Sequence, residues 1–315
     1  MKGLSKRPFV PLADVPDMKF RFSRPSGEPP NHFADIDSPE LPNLMTLCED
    51  PKNVNVDVWR KYYDGIGKTA PRERGLLPFR VWQIYEAMER YAAAGKAAEF
   101  VCAAGILAHY PTDACQPLHA SYLAKGDPED PTNVHSGYEK DMIELKSVPA
   151  TIMAELEQRL SEDRDGRPAI KSGHDAAVRT VELMRETLRL LPPEEITSKY
   201  KEWSQDHPKR EVSKLMWEAF GERTIEVMAL GCRTLADLWE AAWQNARVDE
   251  ENRIADSELV AVNEDRLTEI YDDLDFLPPR TLDKIGPLLT AQAAPPQQPS
   301  TPQKRKPAHA KAKAA

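Results

Sequence analysis

Residues 99–122 read EFVCAAGILAHYPTDACQPLHASY. The part up to Ala108 is apolar nearly all round, which is how a helix buried on most of its faces reads. Immediately upstream, residues 78–97 place Val81, Ile84, Tyr85 and Met88 three and four apart, the helical period. Downstream the same period predicts helices over 135–160, 173–191, 208–246 with a break near Gly231, and 257–274. Strand alternation bounded by hairpin turns is not evident, and no internal repeat occurs. The expectation is an all-α domain over 1–290, with the stretch before Leu76, where Pro and Asn recur, forming long irregular connections laid over it.

Composition agrees with a globular chain. The 315 residues carry 42 Lys plus Arg against 51 Asp plus Glu, a net charge of −9, with 41% hydrophobic residues and a mean hydropathy of −0.58. A chain of this length buries a real core, which excludes a disulfide mini-scaffold and a fully disordered polymer. Four scattered cysteines (Cys48, Cys102, Cys115, Cys232) make neither a zinc finger nor a cystine framework. No run of about 18 apolar residues is present, so no spanning helix is expected. The first 25 residues lack the apolar core of a secretory signal. The last stretch, 291–315, has five prolines, five Lys or Arg and no acid. It reads as a disordered basic tail, a solvated linker end before an anion hook. Without its positive charge the remaining 290 residues carry −14.

Seven histidines occur, and three fall within 27 residues, each near a carboxylate, in the spacing H-x3-D-x5-H-x15-H-x3-E from His109 to Glu139. Residues four apart share a helix face, so His109 with Asp113 and His135 with Glu139 each aim an imidazole and a carboxylate the same way. Two such pairs with His119 between them offer enough nitrogen and oxygen ligands for more than one Zn²⁺. Pro111 counts against an ideal turn, because it lacks a backbone donor and restrains Tyr110. A kink between His109 and Asp113 is therefore expected.

The run AGILAHYPTDACQPLHASY, with VHSGYEKDM downstream and NHFADID upstream, resembles the zinc-dependent phospholipase C and single-strand nuclease superfamily, the S-one and P-one nucleases among them. GLLPFRVWQIYEAM, from Gly75 to Met88, is similar to the helix that precedes the family core, and the resemblance covers roughly 12–143, a little under half the chain. It implies a multi-helix bundle of phosphoesterase type. One zinc would take His32, His109 and Asp113 with an upstream Asp, for which Asp14 matches best and Asp17 is the alternative. A second zinc would take His119, His135 and Glu139. Asp113 would bridge towards a third ion, Asp14 and Asp113 would serve the reaction, and Asp35 would orient a ligand. The third zinc site, held in the family by an N-terminal Trp and a nearby His, has no counterpart, since no Trp precedes Trp59 and no His precedes His32. Two zinc ions are therefore expected. Either the true start lies upstream, with an export signal and an extracytoplasmic location, or the third site is lost and the protein is cytoplasmic.

The function so implied is hydrolysis of a phosphodiester, in nucleic acid or phospholipid, by a metal-activated hydroxide, with no obligate protein partner. The alternative is a non-catalytic helical protein that retains a structural zinc. The net −14 opposes a long polyanion, though metals in a cleft offset distant charge. Other features read as structural. His174-Asp175, after Ser172-Gly173, marks a helix start where Asp favours the dipole. Trp217, Trp239 and Trp243 sit on helical apolar faces as core or groove lining, Cys102 and Cys115 read as buried thiols, and His207 and His309 are incidental.

Overall fold

The computed structural model of the chain describes residues 9–40, 42–161, 168–246 and 253–285, so the expected tail at 291–315 lies outside the described residues. Among the described residues the regular secondary structure is helical except for one hairpin, Gly126–Asp127 (β1) antiparallel to Asp130–Pro131 (β2). The expectation of an all-α fold therefore holds.

The segment before Leu76 is irregular only in part: residues 33–40 run without a helix, but much of the rest is helical despite its prolines and asparagines. Helices α1 (Phe9–Ala13), α2 (Arg21–Ser23), α3 (Leu44–Leu47) and α4 (Val56–Gly65) alternate with single turns at Pro16–Phe20, Pro29–His32, Pro51–Asn53 and Pro71–Glu73. Each of those turns opens on proline, whose fixed φ and missing N–H suit a first helical position. Asn43 and Asn55 accept from the backbone N–H of Thr46 and Val58, so they start helices rather than break them.

Helix α5 (Leu77–Ala93) stops at Gly95, whose φ of 67° closes the helix end. The Gly95 N–H bonds the Ala92 carbonyl and the Lys96 N–H bonds that of Tyr91, the paired bonds of a glycine-terminated helix. Helix α6 (Ala97–Leu107) is the central helix, and every residue from Phe100 to Leu107 is buried. It is followed by α7 (His109–Ala114), α8 (Val134–Ser136), α9 (Val148–Ser161), α10 (Gly173–Leu190), α11 (Pro193–Asp206), α12 (Lys209–Asn245), α13 (Asp256–Ala261) and α14 (Glu264–Asp272).

Three expected helices differ from those observed. The segment 135–160 is divided, because a widened turn at Gly137–Asp141 and a non-helical stretch separate α8 from α9. Helix α12 runs unbroken through Gly231, about 55 Å at 1.5 Å per residue. Gly231 is there for contact rather than for a kink, since a Cβ on it would lie 2.9 Å from the Cys115 sulfur. The segment 257–274 is divided at Asn263, which caps α14 through the Arg266 N–H at 2.9 Å. Helix α11, which was not among the expected helices, buries Pro193 and Ile196 and packs half-buried Tyr200 and Trp203 on the core.

Helix α5 packs on α6 and α10, and α12 lies across α5, α7, α9, α10 and α11. The tryptophans behave as expected: Trp239 donates to the Ala104 carbonyl at 2.9 Å, Trp243 meets Phe100 edge to face, and Trp217 packs on the core. Cys102 and Cys115 are buried thiols. Ser172 caps α10 by accepting from the Asp175 N–H, so His174-Asp175 is a helix start.

Helix α1 lies directly on α6 at Gly105, where an added Cβ would fall 2.6 Å from the Leu12 Cβ. Gly105→Ala therefore lifts α1 and is expected to cost about 1–3 kcal/mol, the ordinary penalty of overpacking. Denaturant unfolding of the variant reads this, and an unchanged midpoint would contradict the close seating.

Candidate metal centre

Two groups of ligand-type side chains converge, Asp17 with His32 and His109, and His119 with His135 and Glu139; within each group the ligand atoms lie within 4.8 Å of one another. Local structure explains each placement. Helix α6 ends at Ala108 and α7 starts afresh at His109, so Pro111 falls in the first turn of a new helix, where no N–H is needed. The interruption of the helix lies at Ala108, before His109, rather than between the pair. His109 Nε2 accordingly stands 3.2 Å from Asp113 Oδ2. His32 ends the Pro29–His32 turn and His119 ends the Pro117–His119 turn. Beyond them the two strands of chain run side by side, with Ala34 N–H on the His119 carbonyl and Ile36 N–H on that of Ala120. That pairing joins the two groups across 87 residues, and His119 Nδ1 lies 2.8 Å from the His32 carbonyl.

The carboxylates come from widened turns. Asp17 sits in the π-type turn Pro16–Phe20 and Glu139 in the π-type turn Gly137–Asp141, a local geometry that recurs at functional sites. His135 Nε2 is 3.0 Å from Glu139 Oε2, and His32 Nδ1 is 3.6 Å from Asp17 Oδ1.

Proton positions follow from the backbone. Carbonyl oxygens only accept, so the nitrogens facing them carry hydrogen. His109 Nδ1 faces the Ala13 carbonyl at 2.9 Å, His119 Nδ1 that of His32, and His135 Nδ1 that of Ala124 at 3.1 Å. In the neutral rings this leaves each Nε2 as a bare lone pair. Those lone pairs are turned on neighbouring rings and on carboxylates: His119 Nε2 to His135 Nε2 is 3.1 Å, and His109 Nε2 is 2.9 Å from His32 Nδ1, a ring whose hydrogen no backbone carbonyl places. Acceptors facing acceptors are repulsive unless a cation or a proton stands among them. The back-side N–H to carbonyl bond is also the arrangement that fixes a metal-ligating imidazole. The residues therefore fit divalent cations.

Asp113 joins the two groups. Its Oδ2 lies 3.1 Å from His32 Nδ1 in the first, while Oδ1 lies 3.1 Å from His119 Nδ1, on the back of a ring of the second. It is thus a ligand candidate at one centre and an orienting carboxylate at the other. The imidazoles of the first centre are enclosed, with His32 and His109 side chains no more than 11% exposed, while Asp17 at its edge is 47% exposed; in the second, His135 and Glu139 are 35% and 47% exposed. Each centre therefore meets solvent on its carboxylate side, the second more widely.

Two expected residues lie elsewhere. Asp14 is exposed and belongs to neither group. The bond from His109 to the Ala13 carbonyl holds the backbone just before it against the ring, and the π-type turn then swings Asp17 inwards in its place. Asp35 is buried on Lys68 and touches no ligand. The residue that stands behind a ligand is Glu28, which sequence reasoning missed; its Oε1 lies 3.7 Å from His32 Nε2.

Electrostatics of the metal-free site follow. Burial alone would lower His109 and His119, but the Asp113 charge and hydrogen bonds outweigh it, and each is raised to about 9. Burial likewise pushes Asp113 up, yet His109 and His119 hold it well below the usual carboxylate range. Glu139 is lowered in the same way, by His135 and His119 against its burial. The histidine contribution to stability is fully present below about 6.5 and is lost as pH rises through about 9. The carboxylate contribution is present above about 4 and is lost as pH falls further. With a chelator present, the unfolding midpoint is expected to decline from pH 6.5 to 9.5. With zinc present the decline should shrink or reverse, because cation binding displaces those protons. A midpoint that ignores both pH and zinc would contradict the arrangement.

Comparison with known proteins bears on the reaction. No family model matches the chain, and no solved structure matches it. It is 35% identical over 336 residues to a protein of Bradyrhizobium tropiciagri named "Probable serine protease", a match that covers 90% of this chain and 42% of that protein. The chain thus spans about two fifths of the length of the curated relative it matches. Among the described residues no serine hydroxyl hydrogen-bonds a histidine, and no helix is long and apolar enough to cross a membrane. The relative's name points to peptide bonds, and it overturns the expectation of a phosphodiester hydrolase, whether nuclease or phospholipase C, acting on nucleic acid or phospholipid.

Proposed function

We propose that this chain is the metal-binding helical part of a hydrolase that acts on peptide bonds, holding two divalent cations, zinc first among them. The observation that supports the metal is the convergence of His119 Nε2, His135 Nε2 at 3.1 Å from it, and the Glu139 carboxylate, ligand atoms all within 4.8 Å of one another. The peptide bond is taken from the relative's name. His32, His109 and Asp113 with Asp17 would hold one ion, and His119, His135 and Glu139 the other. Bound there, such an ion supplies Lewis acidity and lowers the pKa of coordinated water. The protein's own part is to keep each ring in one tautomer through the Ala13, His32 and Ala124 carbonyls and to leave the second centre open to solvent.

A second reading has its own support. The chain spans 42% of the relative, so a serine nucleophile would belong to another part of such a protein, and this part would hold metal for structure. The two separate on one assay of a quenched fluorogenic peptide library. The first reading predicts cleavage abolished by chelator, restored by zinc and indifferent to a serine-directed fluorophosphonate. Two tightly held ions without turnover would overturn it and favour the second.

A further inference from the structure

We propose that Glu28 is a positioning residue for the first centre, the carboxylate that fixes His32 from behind. The inference rests on the reading of that centre as a metal site and deepens it.

His32 differs from the other histidines of the cluster. It turns Nδ1, not Nε2, towards Asp113, His109 and Asp17. With Nδ1 given to a cation, Nε2 carries the hydrogen, and it is buried with no hydrogen-bond partner. The nearest acidic atom is Glu28 Oε1 at 3.7 Å. Glu28 is itself fully buried, and so is Arg80. Tyr110 donates to Glu28 Oε1 at 2.6 Å, Arg80 Nε donates to the Tyr110 oxygen at 3.0 Å, and Arg80 Nη2 reaches Glu28 Oε2 at 3.4 Å. Arg80 is anchored in turn on the Leu277 carbonyl and on Gln83.

A buried ion pair of this kind is poor value as a stability device, since apolar residues of similar volume do as well or better. Its place is better explained by what it faces. An imidazole that gives a lone pair to a cation becomes more positive, and its remaining N–H needs an acceptor. A carboxylate in that position sets ring orientation and strengthens the ligand. Glu28, held by Tyr110 and Arg80, is the one acidic group found behind this ring among the described residues, because Asp17 and Asp113 lie on its Nδ1 side. It is spaced four residues before His32 across the Pro29–His32 turn, so sequence and geometry agree.

The test uses cobalt(II) as a spectroscopic probe of the whole chain in the His135→Ala background, which leaves the first centre alone. Adding Glu28→Gln should weaken cobalt binding by about 10–100-fold and shift its visible absorption bands. Tyr110→Phe, which deletes only the hydroxyl that holds Glu28, should move both in the same direction by less, and it serves if Glu28→Gln fails to give a cooperative melt. Equal affinity and identical spectra in the folded variants would overturn the assignment while leaving the metal centre intact. No cobalt spectrum in the His135→Ala parent would overturn the metal reading itself, and this proposal with it.

Discussion

Asp113→Ala is expected to weaken zinc binding at the first centre by more than about 100-fold, since removing a ligand exceeds the 10–100-fold typical of residues one layer out. The same carboxylate contacts His32 and His109 through one oxygen and the back of His119 through the other. Binding at the second centre should therefore weaken too, by the smaller amount that loss of an orienting group causes. In the metal-free protein the variant leaves two buried imidazoles without the charge that raises them, at a cost of about 3–5 kcal/mol, as when one partner of a buried pair is removed. Competition against a chromophoric chelator reads the first effect and chelator-treated denaturation the second. Normal zinc affinity in Asp113→Ala would remove Asp113 from the site.

The second large effect concerns stability. Arg80→Ala strands the Glu28 carboxylate at zero exposure and leaves the Leu277 carbonyl, which Arg80 holds at 3.0 Å, to Arg24 alone. Leu277 adopts a φ of 47°, a conformation that a leucine keeps only when its surroundings impose it. A loss of about 3–5 kcal/mol is expected, which lowers the melting temperature by about 10 °C for a chain of this size. The double change Arg80→Met with Glu28→Leu should recover much of that stability while the first metal centre stays weakened. Recovery of stability and of metal affinity together would show that the pair serves packing alone.

Local pairs of the site were legible in the sequence because they depend only on helical spacing: His109 with Asp113, and His135 with Glu139. The central helix was legible for the same kind of reason, being apolar all round. Contacts made by long-range pairing were not. Nothing in the spacing says that residues 33–36 run beside 119–120, yet that pairing brings His32 to His119. Asp14 and Asp17 differ by less than one turn, and a π-type turn rather than any residue preference decides which faces inwards. Prolines and asparagines before Leu76 misled because the same residues that end helices also begin them, and Pro16, Pro29, Pro51, Asn43 and Asn55 all stand at starts. Helix α11 was missed although Ile196, Tyr200 and Trp203 fall at helical spacing, because charged residues fill most positions between them. The bond to be cleaved was misread for a chemical reason. Imidazole and carboxylate spacing encodes what holds a cation, and a cation of that kind polarises more than one class of substrate.

The central claim is that the two groups of facing acceptors hold cations. Zinc-edge anomalous diffraction from crystals of the zinc-loaded chain tests it directly. The account predicts two anomalous peaks, one among His32, His109, Asp113 and Asp17 and the other among His119, His135 and Glu139. Peaks confined to surface residues, with these imidazoles bonded only to protein or water, would contradict it.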